Sequence, residues 1–207
     1  NPLNVIRNCA YLLEMSLNEK QDTEVIDSLK VLDKQIDAAN KIVTDLLDFT
    51  RIKPPSQSRV VLNELLDESM SYLSLPDNVS VHSLLNGHRY RLHTDPDQMN
   101  RVFTNIMTNA VQAMKETGGQ LTIDAEEDTD FISLHFNDTG CGIPPENLEM
   151  IFEPLFTTKP KGIGLGLAIT RRLVEQNGGS ISVDSELNKG TTFTVKLPLD
   201  RRNKPDA

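Results

Sequence analysis

Apolar residues at the start of the chain recur in steps of three and four: Leu3, Ile6, Ala10, Leu13 and Leu17. After the polar break "NEKQD" the pattern resumes with Val25, Leu29, Leu32, Ile36, Ala39, Val43 and Leu46. Alternating steps of four and three average to the period of a helix-bundle seam. The second of these helices, from Thr23 to about Ile52, is roughly 45 Å long at a rise of about 1.5 Å per residue. A lone hairpin of that length cannot cover its seams. The pattern therefore predicts two hairpins paired in a four-helix bundle, and hence a homodimer. The plainer alternative is a hairpin packed on the second domain of its own chain.

"KPPSQS" at 53–58 ends the helical pattern, because proline removes a backbone donor and forces its neighbours into extended conformations. The chain thus divides into a helical hairpin over 1–55, a second domain over 56–200 and a tail, "RRNKPDA", over 201–207. In the second domain the periodicity switches repeatedly. Helices are expected over 62–72, 97–115 and 165–176, and strands over 79–84, 90–94, 120–127, 131–138, 180–185 and 191–197. Helices grouped with an antiparallel sheet predict an α+β fold, a two-layer α/β sandwich.

Composition narrows the function classes. With 21 basic against 30 acidic residues the 207-residue chain carries a formal net charge of −9, which argues against nucleic acid as a partner. An anionic ligand is admissible only where local cations or a metal offset that field. No run of about 18 apolar residues is present, so this stretch is not expected to cross a membrane. No signal-peptide pattern opens it, and a cytoplasmic location is expected, with room for a membrane anchor elsewhere in a parent protein. Cys9 and Cys141 have no metal-site spacing and suit a reducing compartment.

Four stretches carry candidate chemistry. In "NIMTNA", Asn105 and Asn109 stand four apart on one helix face, where two neutral oxygens suit a hard cation such as Mg²⁺. Taken alone they are equally ordinary exposed asparagines. In "NDTGCGIP", Asp138 ends an apolar strand and is followed by Gly140 and Gly142, which let backbone approach a ligand closely or simply make a turn. "FEPLFTTKPKG" gathers Thr157, Thr158, Lys159 and Lys161 in an otherwise acidic chain, which suits a polyphosphate or a solvated loop. "KGIGLGLAI" leads Gly162, Gly164 and Gly166 into a helix whose first amides suit an anion. Its spacing is neither the G-x-G-x-x-G dinucleotide fingerprint nor a Walker loop.

In this order the four stretches resemble the ATP-binding domain of sensor histidine kinases, in the wider superfamily that includes DNA gyrase and MutL. Asn105 and Asn109 match its asparagine box, Asp138, Gly140 and Gly142 the first glycine box, Phe152 and Phe156 the phenylalanine box, and Gly162, Gly164 and Gly166 the second glycine box. "NKGTTFTVKLP" is similar to the family's closing strand, and "DLLDFTRI" to the end of its dimerisation helix. The short lid, "NAVQAM" and "FEPLFTTK" look closest to the nitrogen-regulator branch.

The resemblance implies a Bergerat-type sandwich with a left-handed βαβ nucleotide site and the glycines as hinge of an ATP lid. It implies that Asp138 accepts from the adenine amino group, with Thr191 sharing a water, and that Ile143 and Leu167 line the nucleotide. Asn109, with Asn105, would hold Mg²⁺, while Thr157, Thr158, Lys159 and the glycine amides reach the phosphates. Phe152 and Phe156 would anchor the lid by packing. Gln112 stands where many members carry Lys or Arg, which puts more weight on Lys159.

The superfamily contains two chemistries. Its gyrase-like members hydrolyse ATP with a Glu four residues before the magnesium Asn; that position is Asn105 here, and an amide cannot accept a proton. Transfer to another nucleophile is favoured. In histidine kinases the nucleophile is a His in H-E-x-x-[NT]-P-L, and this chain opens "NPLNVI", which puts the expected phosphoacceptor just before Asn1. His82, His88, His93 and His135 all lie outside that motif. Asn1-Pro2 is either a helix cap or, by resemblance, the place where Asn1 orients water to dephosphorylate a response-regulator receiver domain. The resemblance thus implies a cytoplasmic protein histidine kinase using ATP and Mg²⁺, itself a phosphoprotein, in a two-component system. The alternatives are a pseudokinase and an ATP-binding switch without autophosphorylation.

Overall fold

A computed structural model describes residues 2–17, 23–50, 54–85, 89–159 and 162–200. Asn1, His88, Lys161 and the tail 201–207 lie outside the described residues, as do the side chains of Leu3, Leu17 and Leu46. The chain divides into two compact units, Asn1–Ile52 and Lys53–Ala207.

The first unit is two packed helices, α1 (Pro2–Leu17) and α2 (Thr23–Thr50). Their apolar positions separate into two sets. Ala10, Leu29 and Ile36 are buried, whereas Ile6, Leu13, Leu32 and Val43 remain exposed. Arg7 ties the helices together at the surface, its Nε donating to Asp33 Oδ1 at 3.0 Å and its guanidinium also pairing with Asp37. No helix among the described residues is long and apolar enough to cross a membrane.

The second unit runs β1 (Ser58–Val61), α3 (Leu62–Ser71), β2 (Val79–Ser83), β3 (Arg91–Thr94), α4 (Pro96–Ala113), β4 (Gly119–Glu127), β5 (Phe131–Asp138), α5 (Pro145–Leu148), α6 (Gly166–Gln176), β6 (Ser180–Glu186) and β7 (Gly190–Pro198). Each expected element is present. β1 and α5 are additions, each four residues long. Such segments are too short to show a period.

A five-stranded sheet has the order β2-β4-β5-β7-β6, and β1 pairs with β3 in a separate two-stranded sheet. The expected all-antiparallel arrangement is corrected at one edge, because β2 runs parallel to β4, Val79 opposite Gly119. α4 lies in the connection between them, and a parallel pair requires a crossover of that kind. The strands bury one face: Ile132, Leu134 and Phe136 on β5 alternate with half-buried residues, as do Phe193, Val195 and Leu197 on β7. α4 covers that face with Met99, Val102, Phe103, Ile106, Met107 and Ala110, a helical stripe. Phe103 meets Phe136 at 5.7 Å between ring centroids.

The ends of α4 and α6 are joined through buried polar groups. Asp95 caps α4, accepting from the Gln98 amide at 3.0 Å, and Pro96 follows at the first turn. Asn177, at the end of α6, accepts from Thr94 Oγ1 at 2.7 Å and from the Asp95 amide at 2.9 Å. Its own amide donates to Gln98 Oε1 at 2.8 Å and to the Leu173 carbonyl at 2.9 Å. All of its side-chain hydrogen-bonding groups are engaged, which is what permits burial of an amide.

Candidate functional site

The inward alternation of β5 ends on a carboxylate. Asp138 occupies the position after Ile132, Leu134 and Phe136, in register with Leu121 on β4 and Thr191 on β7, and is almost completely buried. Burial pushes its pKa above the usual 3.8, and the backbone N–H groups of Gly140 and Thr191 pull only partly in the other direction. The Gly140 amide donates to Asp138 Oδ1 at 2.8 Å. A buried acceptor at the rim of an apolar layer is suited to one polar contact with an otherwise apolar ligand.

The neighbouring backbone is closely packed. Gly142 has φ +69°, and a Cβ there would collide with the Glu186 carbonyl. Ile143 donates its amide to Ser185 Oγ at 2.8 Å and packs against the core. Ser185 Oγ in turn donates to the Gly190 carbonyl at 2.9 Å and lies 2.9 Å from Thr191 Oγ1. Ser185 therefore links the first glycine stretch to β7 and holds Thr191 beside Asp138. It escaped the sequence reading. Its signal was a polar residue at the inward position following Ile181 and Val183 on β6.

Asn105, Asn109 and Gln112 follow one another at helical spacing along α4. Their partners differ. Asn105 Nδ2 donates to Thr170 Oγ1 on α6 at 2.9 Å, and a Cβ on Gly166 would stand 2.8 Å from Asn105 Oδ1. Asn105 is thus committed to the start of α6. Asn109 Oδ1 and Gln112 Oε1 each accept from Lys159 Nζ at 2.6 Å. The buried Thr170 was not anticipated, since a threonine in an amphipathic helix carries no mark of its partner.

The loop that carries Lys159 is anchored at both ends. Phe152 and Phe156 pack against the core, with Phe152 edge-on to Phe193 at 6.4 Å between centroids. Leu155 and Gly164 are joined by a backbone bond of 2.9 Å, and at Gly164, φ +74°, a Cβ would collide with the Phe156 carbonyl. Thr157 Oγ1 accepts from the Lys159 amide at 3.1 Å, and the Gly162 amide donates to the Lys159 carbonyl at 3.0 Å. Thr158 is exposed. Leu167 packs against the core just inside α6, whose first amides carry no side-chain cap. A concavity of about 620 Å³ lined by His93, Asn177, Pro198 and Asp200 lies at the far end of β7 from Thr191, and none of Asn105, Asn109, Asp138 or Lys159 lines it.

The second unit therefore offers a buried carboxylate in an apolar layer, a row of amides and a lysine-bearing loop hinged on glycine. Residues 94–201 match the family described as "Histidine kinase-, DNA gyrase B-, and HSP90-like ATPase". The chain is 34% identical over 209 residues to the sensor histidine kinase ZraS of Salmonella typhi, covering 99% of this chain and 44% of that protein. It is 33% identical over 204 residues to the signal transduction histidine-protein kinase AtoS of Escherichia coli K12, covering 97% of this chain and 33% of that protein. The chain thus spans less than half the length of these curated relatives. Full-length ShkA, solved in complex with AMPPNP, superposes with a TM-score of 0.83 at 26% identity, over 99% of this chain and 44% of that one. The chain belongs to the histidine kinase-, DNA gyrase B- and HSP90-like ATPases, and its second unit is an ATP-binding domain of the sensor histidine kinase type.

Proposed function

We propose that this chain forms the core of a cytoplasmic sensor histidine kinase. It binds Mg-ATP and passes the γ-phosphate to a histidine encoded immediately before Asn1, and from there to an aspartate on a response-regulator receiver domain. Asp138 accepts from the adenine, with Thr191 beside it, while Ile143 and Leu167 flank the base. Asn109 faces the metal. Lys159, Thr157, Thr158 and the amides around Gly162, Gly164 and Gly166 meet the phosphates as the lid closes. The hairpin, acting as the phosphotransfer domain, pairs with a second copy, a reading supported by the exposed Ile6, Leu13, Leu32 and Val43. Asn1 would orient water for removing phosphate from the receiver domain.

The amide at position 105 carries this reading. A hydrolase of this superfamily needs a carboxylate there to take a proton from water. Asn105 has no such capacity, and its Nδ2 is already given to Thr170. Its sharing of the metal with Asn109 is correspondingly the weaker half of the asparagine assignment. Transfer to a side-chain nucleophile follows more readily than hydrolysis.

A longer form of the chain, carrying its native upstream residues, tests this with γ-labelled ATP and Mg²⁺. Acid-labile, base-stable label on the protein is expected, the behaviour of phosphohistidine. Free phosphate without protein label would establish a switch ATPase instead, and nucleotide binding with neither product a pseudokinase. Asn109→Ala is expected to abolish Mg-dependent nucleotide binding without lowering the melting temperature. Wild-type binding in that variant would remove Asn109 from the site.

A further inference from the structure

We propose that Asn109 and Gln112 together form a cation seat, taken in turn by the Lys159 ammonium and by the divalent cation that accompanies the nucleotide. This rests on the nucleotide reading above and adds a residue, Gln112, that the asparagine pair leaves out.

The geometry starts from α4. Residues three apart on a helix share a face, and Asn109 and Gln112 both turn a carbonyl oxygen onto the same atom, Lys159 Nζ, at 2.6 Å each. An ammonium only donates, so both amides must present oxygen rather than nitrogen toward it. Two neutral oxygens converging on one positive charge is a donor set that also suits Mg²⁺. That ion takes oxygen ligands, keeps several waters, and is usually bound through one or two protein groups together with phosphates. Among the described residues no group of three or more His, Cys, Asp or Glu is placed to hold a metal. Asn105 is turned elsewhere, to Thr170 and Gly166. The amide pair is therefore the protein's contribution to the seat, and the lysine cation already occupies it.

Two cations cannot share that position. Arrival of the metal must expel the ammonium from α4, and Lys159 lies in the loop between the Phe156 anchor and the Gly164 hinge. The expelled lysine is then available to the phosphates that arrive with the metal. Gln112 thereby couples metal entry to lid movement. A Lys or Arg at 112 would bring a fixed positive charge to the seat and forbid the exchange.

The test is a Mg²⁺ titration of the chain with a fluorescent, non-hydrolysable ATP analogue, reading the Mg²⁺ concentration that half-saturates binding. Gln112→Leu removes the oxygen at nearly constant size and is expected to raise that concentration about tenfold, the scale seen when groups supporting a metal site are lost. Gln112→Glu keeps an oxygen and is expected to restore or lower it. Lys159→Met removes the competing ammonium and is expected to lower it, with the analogue held in each variant at the same multiple of its own affinity so that the lost phosphate contact does not enter. Thermal melting of each variant separates these shifts from unfolding. A Gln112→Leu variant that melts like wild type and needs the same Mg²⁺ would overturn the seat, and an increased Mg²⁺ requirement in Lys159→Met would overturn the exchange. No binding of the analogue by the unaltered chain at any Mg²⁺ concentration would instead refute the nucleotide reading beneath both.

Discussion

The two units of this chain handle their apolar residues in opposite ways. In the second, Leu62, Leu92, Phe103, Ile106, Met107 and Val195 are all at 0% exposure within one core cluster. In the first, Ala10, Leu29 and Ile36 are buried, while Leu12 is 62%, Leu13 54% and Val31 57% exposed. A sheet with helices on one face closes its own core. Two helices have a single interface between them, and whatever apolar surface points away from it stays uncovered. The ATP-binding unit closes a core of its own, whereas the hairpin leaves apolar side chains uncovered among its described residues.

The largest effect that would sharpen this contrast comes from the second unit's core. Phe103→Ala is expected to cost about 3–5 kcal/mol of that unit's stability, read by urea unfolding, because it leaves a cavity against Phe136. A loss within the roughly 0.5 kcal/mol usual for surface positions would erase the distinction. Next comes the hairpin. Leu32→Asp combined with Val43→Asp alters exposed positions and is expected to convert the proposed dimer into monomers in sedimentation velocity, leaving the second unit's melting unchanged. An unaltered dimer would mean that another surface pairs.

The smallest effect is confined to Asp138. Its folded pKa is raised, so the folded chain holds a proton that the unfolded chain has released, from about pH 3.8 up to the folded value. The contribution of this group to stability therefore falls as pH rises through that window. Burial of this carboxylate thus costs stability above that window, as expected of a residue kept for a ligand. In Asp138→Asn this part of the decline should vanish from urea unfolding measured across that window, while nucleotide binding is lost. An unchanged pH dependence would mean that burial does not govern this carboxylate.

Much of the candidate site is written in local patterns. Asp138 after an alternating strand, the glycines at 162, 164 and 166, and the asparagines four apart are local patterns, and in combination they are specific. The packing roles of Phe152 and Phe156 followed from the same resemblance and agree with their contacts. Ser185, Thr170 and Asn177 were not legible in this way. Each is an ordinary polar residue whose importance comes from what lies opposite: the Ile143 amide, Asn105, and the cap of α4. Gln112 stood out only as a departure from the family's Lys or Arg, with nothing in its neighbours to say that Lys159, 47 residues away, would reach it.

Residue spacing alone located the longer helices and strands, because periods of 3.6 and 2 are properties of a single segment. It determined the family, because four short motifs recur in a fixed order. Packing alone settled that β2 joins β4 in parallel, that the hairpin's seam splits into a buried and an exposed set, and that two amides of α4 face Lys159 from the loop after Phe156. Those outcomes depend on which distant segments are brought together. A backbone's local preference says how a segment folds, but the partner of a polar side chain is chosen when the layers pack.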